Sequence, residues 1–150
     1  MFMSAGTCYV YNIYGIYCCM NILSQESGAA VLIRALEPIS GFDLMKVNRT
    51  NKKQSKSTRK MKPKDLTSGP SKLCMALKID KKNFNEIDLS SSDDIWLQSS
   101  IELKDVKEAP SSKIVSAKRI GIDYAGEEAV DKLYRFYLKD NNYVSLKSKI

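Results

Sequence analysis

Tyr9, Tyr11 and Ile13 alternate with Val10 and Asn12, Tyr14-Gly15 interrupts the run, and an apolar stretch resumes from Ile16 to Ile22. A period of two sends alternate side chains to opposite faces, and a glycine-containing break between two such runs folds them back on each other. Residues 6–22 therefore predict a β-hairpin with its tip near Tyr14. The same stretch is too short to span a bilayer and is broken by Asn12, Gly15 and Asn21. No basic segment followed by a long apolar core opens the chain, so a secretory signal is not expected and a soluble protein is.

The hairpin is unusual in its tyrosines. Tyr9, Tyr11, Tyr14 and Tyr17 fall within nine residues, and each buried phenol must find a partner or reach the surface. Any one of them is explained as a core ring on a strand. The cluster, with one member at a turn, also admits a sharper use: a ring at a tip wedges between bases, and a ring set back stacks on an extruded base. Neither role needs histidine or a metal, and no cofactor is expected.

The chain has 150 residues, of which 43% are hydrophobic and 27% charged, as in a globular domain able to bury a core. It contains no histidine, which excludes Ser-His-Asp and Cys-His nucleophilic sites and any His-ligated metal. Cys8, Cys18, Cys19 and Cys74 form no CxxC pair and sit in apolar surroundings, the pattern of buried reduced thiols rather than of a disulfide framework or zinc site.

Lys+Arg 24 against Asp+Glu 17 gives a net charge of +7, pointing to an acidic partner, with nucleic acid or an anionic membrane surface foremost. The charge is uneven. Residues 1–40 hold Arg34 as their one basic residue beside Glu26 and Glu37, whereas nine basic residues and no acid lie between Met45 and Lys64. The stretch of about 45–66 is a basic connector, either a solvated loop or a phosphate-binding arm. Arg34 follows three large aliphatics and must be paired. Its partner is either Glu37 or another carboxylate, or else the guanidinium faces a pocket and holds a phosphate or a water. Ser68-Gly69-Pro70-Ser71-Lys72 starts a helix in a manner that suits a phosphate, and Gly121 and Gly126 flank a loop open to close backbone approach.

Other elements are predicted as follows. Ser24–Gly28 is a turn and Ala29–Ala35 a short buried strand. A helix runs from Ser40, as N-cap, to Arg49, and another starts at Thr67-Ser68-Gly69-Pro70. Ile95–Leu97 and Lys118–Asp123 read as strands, and Gly126-Glu127-Glu128 opens a short helix. Tyr134–Leu138 and Tyr143–Leu146 read as closing strands around Asp140-Asn141-Asn142. The class is α+β, a single mixed domain over residues 1–150 with an antiparallel sheet.

GTCYVYNIYGIYCCMNI (Gly6–Ile22), AAVLIRALEP (Ala29–Pro38), SGPSKLCMAL (Ser68–Leu77) and RIGIDYAGEEA (Arg119–Ala129) together resemble, in the same order, the 3-methyladenine (alkyladenine) DNA glycosylases. LYRFYL and YVS near the C-terminus fit as well. The resemblance implies an α+β domain whose hairpin enters the DNA minor groove, and a monofunctional enzyme that flips alkylated or deaminated purines and hydrolyses their glycosidic bond with water. Tyr14 then matches the residue that fills the gap left by the flipped nucleotide, with Ile16 and Tyr17 supporting it. Tyr11 matches the ring stacked on the flipped base, and Asn21 the pocket residue that disfavours a guanine amino group. Arg34 and the main-chain carbonyl of Ile120 match the groups that hold the reacting water, and Lys72 and the backbone around Gly121 lie near phosphates. The implied partner is double-stranded DNA containing damaged purines. A monomer working in the nucleus, or also in the mitochondrion, without membrane attachment, is expected.

One part of the family pattern has no counterpart in these residues. The carboxylate that deprotonates the water precedes, in the family, the residues matching Met1–Gly6. Glu26 and Glu37 are poor replacements, since Glu26 falls in a turn and Glu37 belongs to the matched ALEP block. The chain thus reads as an incomplete, N-terminally truncated C-terminal portion, expected to fold poorly alone and to lack glycosylase activity. The alternative is a non-catalytic DNA-binding remnant of the same family.

Overall fold

Cys8–Ile13 (β1) and Tyr17–Leu23 (β2) pair antiparallel, in a register that sets Cys8 opposite Ile22, Val10 opposite Met20 and Ile13 opposite Tyr17. Ala30–Leu32 (β3) adds to the far side of β2, with Asn21 opposite Leu32. The computed structural model describes residues 2–50, 61–98 and 113–148. Contacts gather the chain into two compact units, residues 1–97 and 98–150. Both small sheets are antiparallel and helices accompany them, so the class is α+β.

The first unit is built on one face of the hairpin. Cys8, Val10 and Met20 meet Leu73 and Cys74 of helix Pro70–Ala76 (α3), together with Ile79 and Leu89. Cys8 and Val10 are fully buried while Tyr9 and Tyr11, which alternate with them, are half-buried, which is the alternation that the sequence shows. The outer edge of β1 is covered rather than open. Cys8 N–H donates to the Ile87 carbonyl at 2.7 Å, Glu86 N–H to the Cys8 carbonyl at 2.8 Å, and Val10 N–H to Asn85 Oδ1 at 2.9 Å.

Three further helices belong to this unit. Phe42–Thr50 (α1) follows Gly41, whose carbonyl accepts the Met45 N–H at 3.0 Å, so the residue ahead of the first turn is Gly41 and not Ser40. Pro63–Leu66 (α2) lies in the stretch read as a connector, and Asp65 Oδ2 accepts the Lys62 N–H at 3.3 Å at its start. Lys81–Phe84 (α4) is capped by Asp80, whose carboxylate accepts the Asn83 N–H at 2.8 Å. The basic connector is therefore helical at both ends, and residues 51–60 lie outside the described residues.

Four strand expectations are corrected. Ala29–Ala35 is a strand only over Ala30–Leu32, and it is not buried, Val31 being 58% exposed. Ile95–Leu97 is not a strand, because Ser92 Oγ accepts the Asp94 and Ile95 amides and Leu97 N–H turns to the Leu89 carbonyl. A serine hydroxyl that takes nearby amides competes with ladder pairing. In the second unit, Ile114–Ala117 (β4) pairs with Arg135–Leu138 (β5), and Lys118–Asp123 is irregular. Gly121 turns the chain at φ 71, and the Arg135 Nε takes the Lys118 carbonyl at 2.8 Å, ending the extended path. Tyr143–Leu146 is likewise not a strand, since Arg135 Nη1 binds the Leu146 carbonyl at 2.9 Å in place of a ladder. Asp123–Ala125 forms a 3-10 turn and Glu127–Asp131 (α5) the short helix.

The cysteines are free thiols, with Cys8, Cys19 and Cys74 buried and Cys18 half-buried. Burial pushes the Cys8 thiol from 9.0 up to about 11 and the Cys74 thiol up to about 12. A thiol held protonated in the folded state contributes stability that is intact below the unfolded value of 9.0 and is lost as pH rises through about 11 and 12. At pH 8, iodoacetamide followed by peptide mass mapping is expected to label Cys18 first and to leave Cys8 and Cys74 unmodified, because the thiolate is the reactive form. Labelling of Cys74 as fast as Cys18 contradicts this packing.

Candidate functional site

The hairpin loop is Tyr14-Gly15-Ile16. Tyr14 at φ 52 and Gly15 at φ 70 are both left-handed, and Ile16 N–H closes onto the Ile13 carbonyl at 3.3 Å. Two left-handed central residues have the sign pattern of a primed hairpin turn, whose twist matches that of the strands. Glycine takes this backbone freely, but a tyrosine does so at a cost of about 1–3 kcal/mol. The strained residue is also the most prominent: the Tyr14 side chain is 89% exposed and Ile16 is 48% exposed. An exposed aromatic in strained backbone, at the apex of a ribbon, has no packing explanation within the described residues.

Behind the tip the register sorts the remaining residues. Directly opposed residues share a face, so Tyr9, Asn21 and Leu32 form one row and Tyr11 and Cys19 the next, with Ile13 and Tyr17 nearest the tip. Tyr9 and Tyr11 stack with centroids 5.8 Å apart and rings 19° from parallel. Asn21 is buried, its Nδ2 reaching the Tyr9 carbonyl at 3.5 Å. Ile33 N–H donates to the Met20 carbonyl at 3.0 Å, carrying the β2–β3 pairing one residue further. Arg34 follows directly on this last bond, two residues beyond Leu32, which the register sets opposite Asn21.

Arg34 is half-buried there and makes no ion pair with any described residue, so pairing with Glu37 is not what holds it. Tyr11 and Asn21 thus share a face, Arg34 follows the end of the strand paired beside Asn21, and Tyr14, Ile16 and Tyr17 extend from the same ribbon. Lys72 stands in the first turn of α3, where its neighbour Ser71 reaches Cys19, Oγ to Sγ 3.9 Å. Ile120 and Gly121 belong to the second unit, Ile120 half-buried and Gly121 exposed at φ 71 with nothing within 4 Å of where a Cβ would stand.

The face has a definite chemistry. It offers aromatic planes and one buried amide, and none of its strand positions (Tyr9, Tyr11, Ile13, Tyr17, Cys19, Asn21, Leu23, Ala30, Leu32) is a carboxylate. Glu26 lies in the turn between β2 and β3, its carbonyl taken by Ala29 N–H at 3.1 Å, and Glu37 follows the segment that ends at Leu36. Among the described residues no group of three or more His, Cys, Asp or Glu side chains is placed to hold a metal ion, and no helix is long and apolar enough to cross a membrane. The concave surface of the second unit lined by Asp123, Glu127, Val130 and Asp131 is acidic and repels phosphate.

Two features escaped sequence reasoning. The stacking of Tyr9 on Tyr11 was signalled by their spacing of two, yet Tyr9 received no role of its own. Cys19 sits on the candidate face, and nothing in the adjacent pair Cys18-Cys19 marks which of the two turns that way except the register.

Comparison with known proteins bears on this arrangement. A family model described as methylpurine-DNA glycosylase (MPG) matches residues 1–142. The chain is 44% identical over 150 residues to the mouse DNA-3-methyladenine glycosylase and 43% identical over 150 residues to the human one. A relative from Clostridium botulinum is 46% identical over 149 residues. All or nearly all of this chain is covered in each case, 100%, 100% and 98%. It spans 43% of the mouse protein, 48% of the human protein and 68% of the clostridial one.

Proposed function

Since the chain belongs to the methylpurine-DNA glycosylase family, we propose that it carries the lesion-engaging part of a DNA repair glycosylase, acting on alkylated or deaminated purines in double-stranded DNA. The observation that carries this reading is Tyr14, an 89% exposed ring in left-handed backbone at the apex of the ribbon that bears Tyr11 and Asn21. Tyr14 enters the minor groove and fills the space of the extruded nucleotide, with Ile16 and Tyr17 bracing it. The base lands on the Tyr11 face. Alkylation at N3 or N7 leaves a purine cationic, and tyrosine planes attract cations. Asn21 reads the base edge and excludes an extra amino group. Arg34 holds the attacking water, while Lys72 and the backbone at Gly121 take phosphates. Extrusion costs a few kcal/mol and less for a damaged or mispaired base, so the wedge itself selects lesions.

The absence of a carboxylate from the strand positions of this face favours a second reading for the 150-residue polypeptide taken alone. It binds and distorts lesion DNA but releases bases slowly. A positioned general base is worth on the order of 10² to 10⁴ in rate.

Titration of duplexes with and without one hypoxanthine, at several salt concentrations, tests both readings. Lesion DNA is expected to bind more tightly, with log K falling linearly with log salt as phosphate contacts release counterions. Equal affinity for both duplexes overturns the lesion-engaging role. Base release within 100-fold of an intact relative overturns the slow-release reading.

A further inference from the structure

We infer that Thr67 is a positioning residue for Arg34, an inference that rests on the functional reading above. Thr67 is fully buried at the end of α2. Its Oγ1 donates to the Leu36 carbonyl at 2.6 Å, and its own carbonyl accepts the Leu36 N–H at 3.3 Å. The two residues clasp each other through both backbone groups of Leu36. On the other side of Arg34, Ile33 N–H is anchored to Met20 at 3.0 Å. Arg34 and Ala35 are therefore strung between two fixed points.

This clasp gives Thr67 a task besides ending α2. A guanidinium on a long flexible stem orients a small target only when its backbone is held, and a hydroxyl donor buried beside a carbonyl is a short, directional way of holding it.

The test uses the 150-residue chain and reads the ratio of the single-turnover rate of hypoxanthine release from a duplex to the rate without protein. Thr67→Val keeps the branched shape and removes the donor, whereas Thr67→Ser keeps the donor. Thr67→Val is expected to lower the ratio roughly fivefold, the size of one lost net hydrogen bond, without changing affinity for undamaged DNA or its salt dependence. Thr67→Ser is expected to restore the ratio. Combined with Arg34→Ala, Thr67→Val is expected to add nothing. If Arg34→Ala lowers the ratio and Thr67→Val does not, the positioning role is wrong. If Arg34→Ala itself leaves the ratio unchanged, the functional reading beneath it fails, and this inference with it. Should Thr67→Val not fold, Ala35→Gly loosens the same segment between its two anchors. A fall in the ratio then supports the inference, and an unchanged ratio overturns it.

Discussion

Leu73→Ala is expected to destabilise the first unit by about 2–5 kcal/mol, the range measured for large-to-small changes in a packed core. Leu73 is fully buried and sits in the cluster where Cys8, Val10 and Met20 of the hairpin meet Cys74, Ile79 and Leu89. It lies on α3, the helix against which the hairpin packs, so its loss loosens the support of β2 as well as opening a cavity. Total stabilities of small domains are only about 5–15 kcal/mol, so the variant is expected to be substantially unfolded at 37 °C. Urea titration followed by circular dichroism checks this. Leu44→Ala is the matched control, since Leu44 is 63% exposed on α1 and its truncation is expected to shift stability by less than about 0.5 kcal/mol. Equal midpoints for the two variants contradict the assignment of the core.

The parts of the fold that were legible in the sequence are those set by local pattern. The alternation around Tyr9–Ile13 located β1, the Tyr14-Gly15 break located the tip, and the Gly69-Pro70 pair located the start of α3. Illegible parts depend on side chains capturing backbone from a distance. Nothing local says that Arg135 takes the carbonyls of Lys118 and Leu146, and that capture is what removes two expected strands. Ser92 does the same over a shorter span at Ile95. Helix α2 was hidden because its four residues fall within a basic stretch that reads as loop.

At the candidate site the residue types were legible and their arrangement was not. Tyr11, Asn21 and Arg34 are separated by up to 23 positions in the sequence. Only the register of the strands brings Tyr11 and Asn21 to one face, and the extra Ile33–Met20 bond carries the chain to Arg34 beside that pairing. The clasp between Thr67 and Leu36 spans 31 residues and has no sequence signature at all.

Tyr14→Ser has the largest expected effect on function. Serine at φ 52 is strained much as tyrosine is, so the turn keeps its geometry and its cost while the ring is removed. Because the ring is 89% exposed, little folded packing is lost, and the unfolding midpoint is expected to stay within about 0.5 kcal/mol of wild type. What disappears is the apolar plane that replaces a base in the stack. Base–aromatic stacking is worth about 1–3 kcal/mol per base, and extrusion costs a few kcal/mol. The flipped population is therefore expected to fall by roughly 10- to 100-fold, while phosphate-driven affinity for undamaged DNA persists. A Tyr11→Ser variant, on the sheet face behind the tip, is expected to weaken capture of the flipped base without the same loss of wedging.

The most direct measurement is the fluorescence of 2-aminopurine placed beside a hypoxanthine in duplex DNA, recorded as the wild-type chain and then Tyr14→Ser are added at saturating concentration. Unstacking relieves quenching of the probe. A several-fold rise with wild type that is abolished by Tyr14→Ser is the result this account predicts. An equal rise with both proteins contradicts it, because the base then leaves the helix without the ring at the hairpin apex.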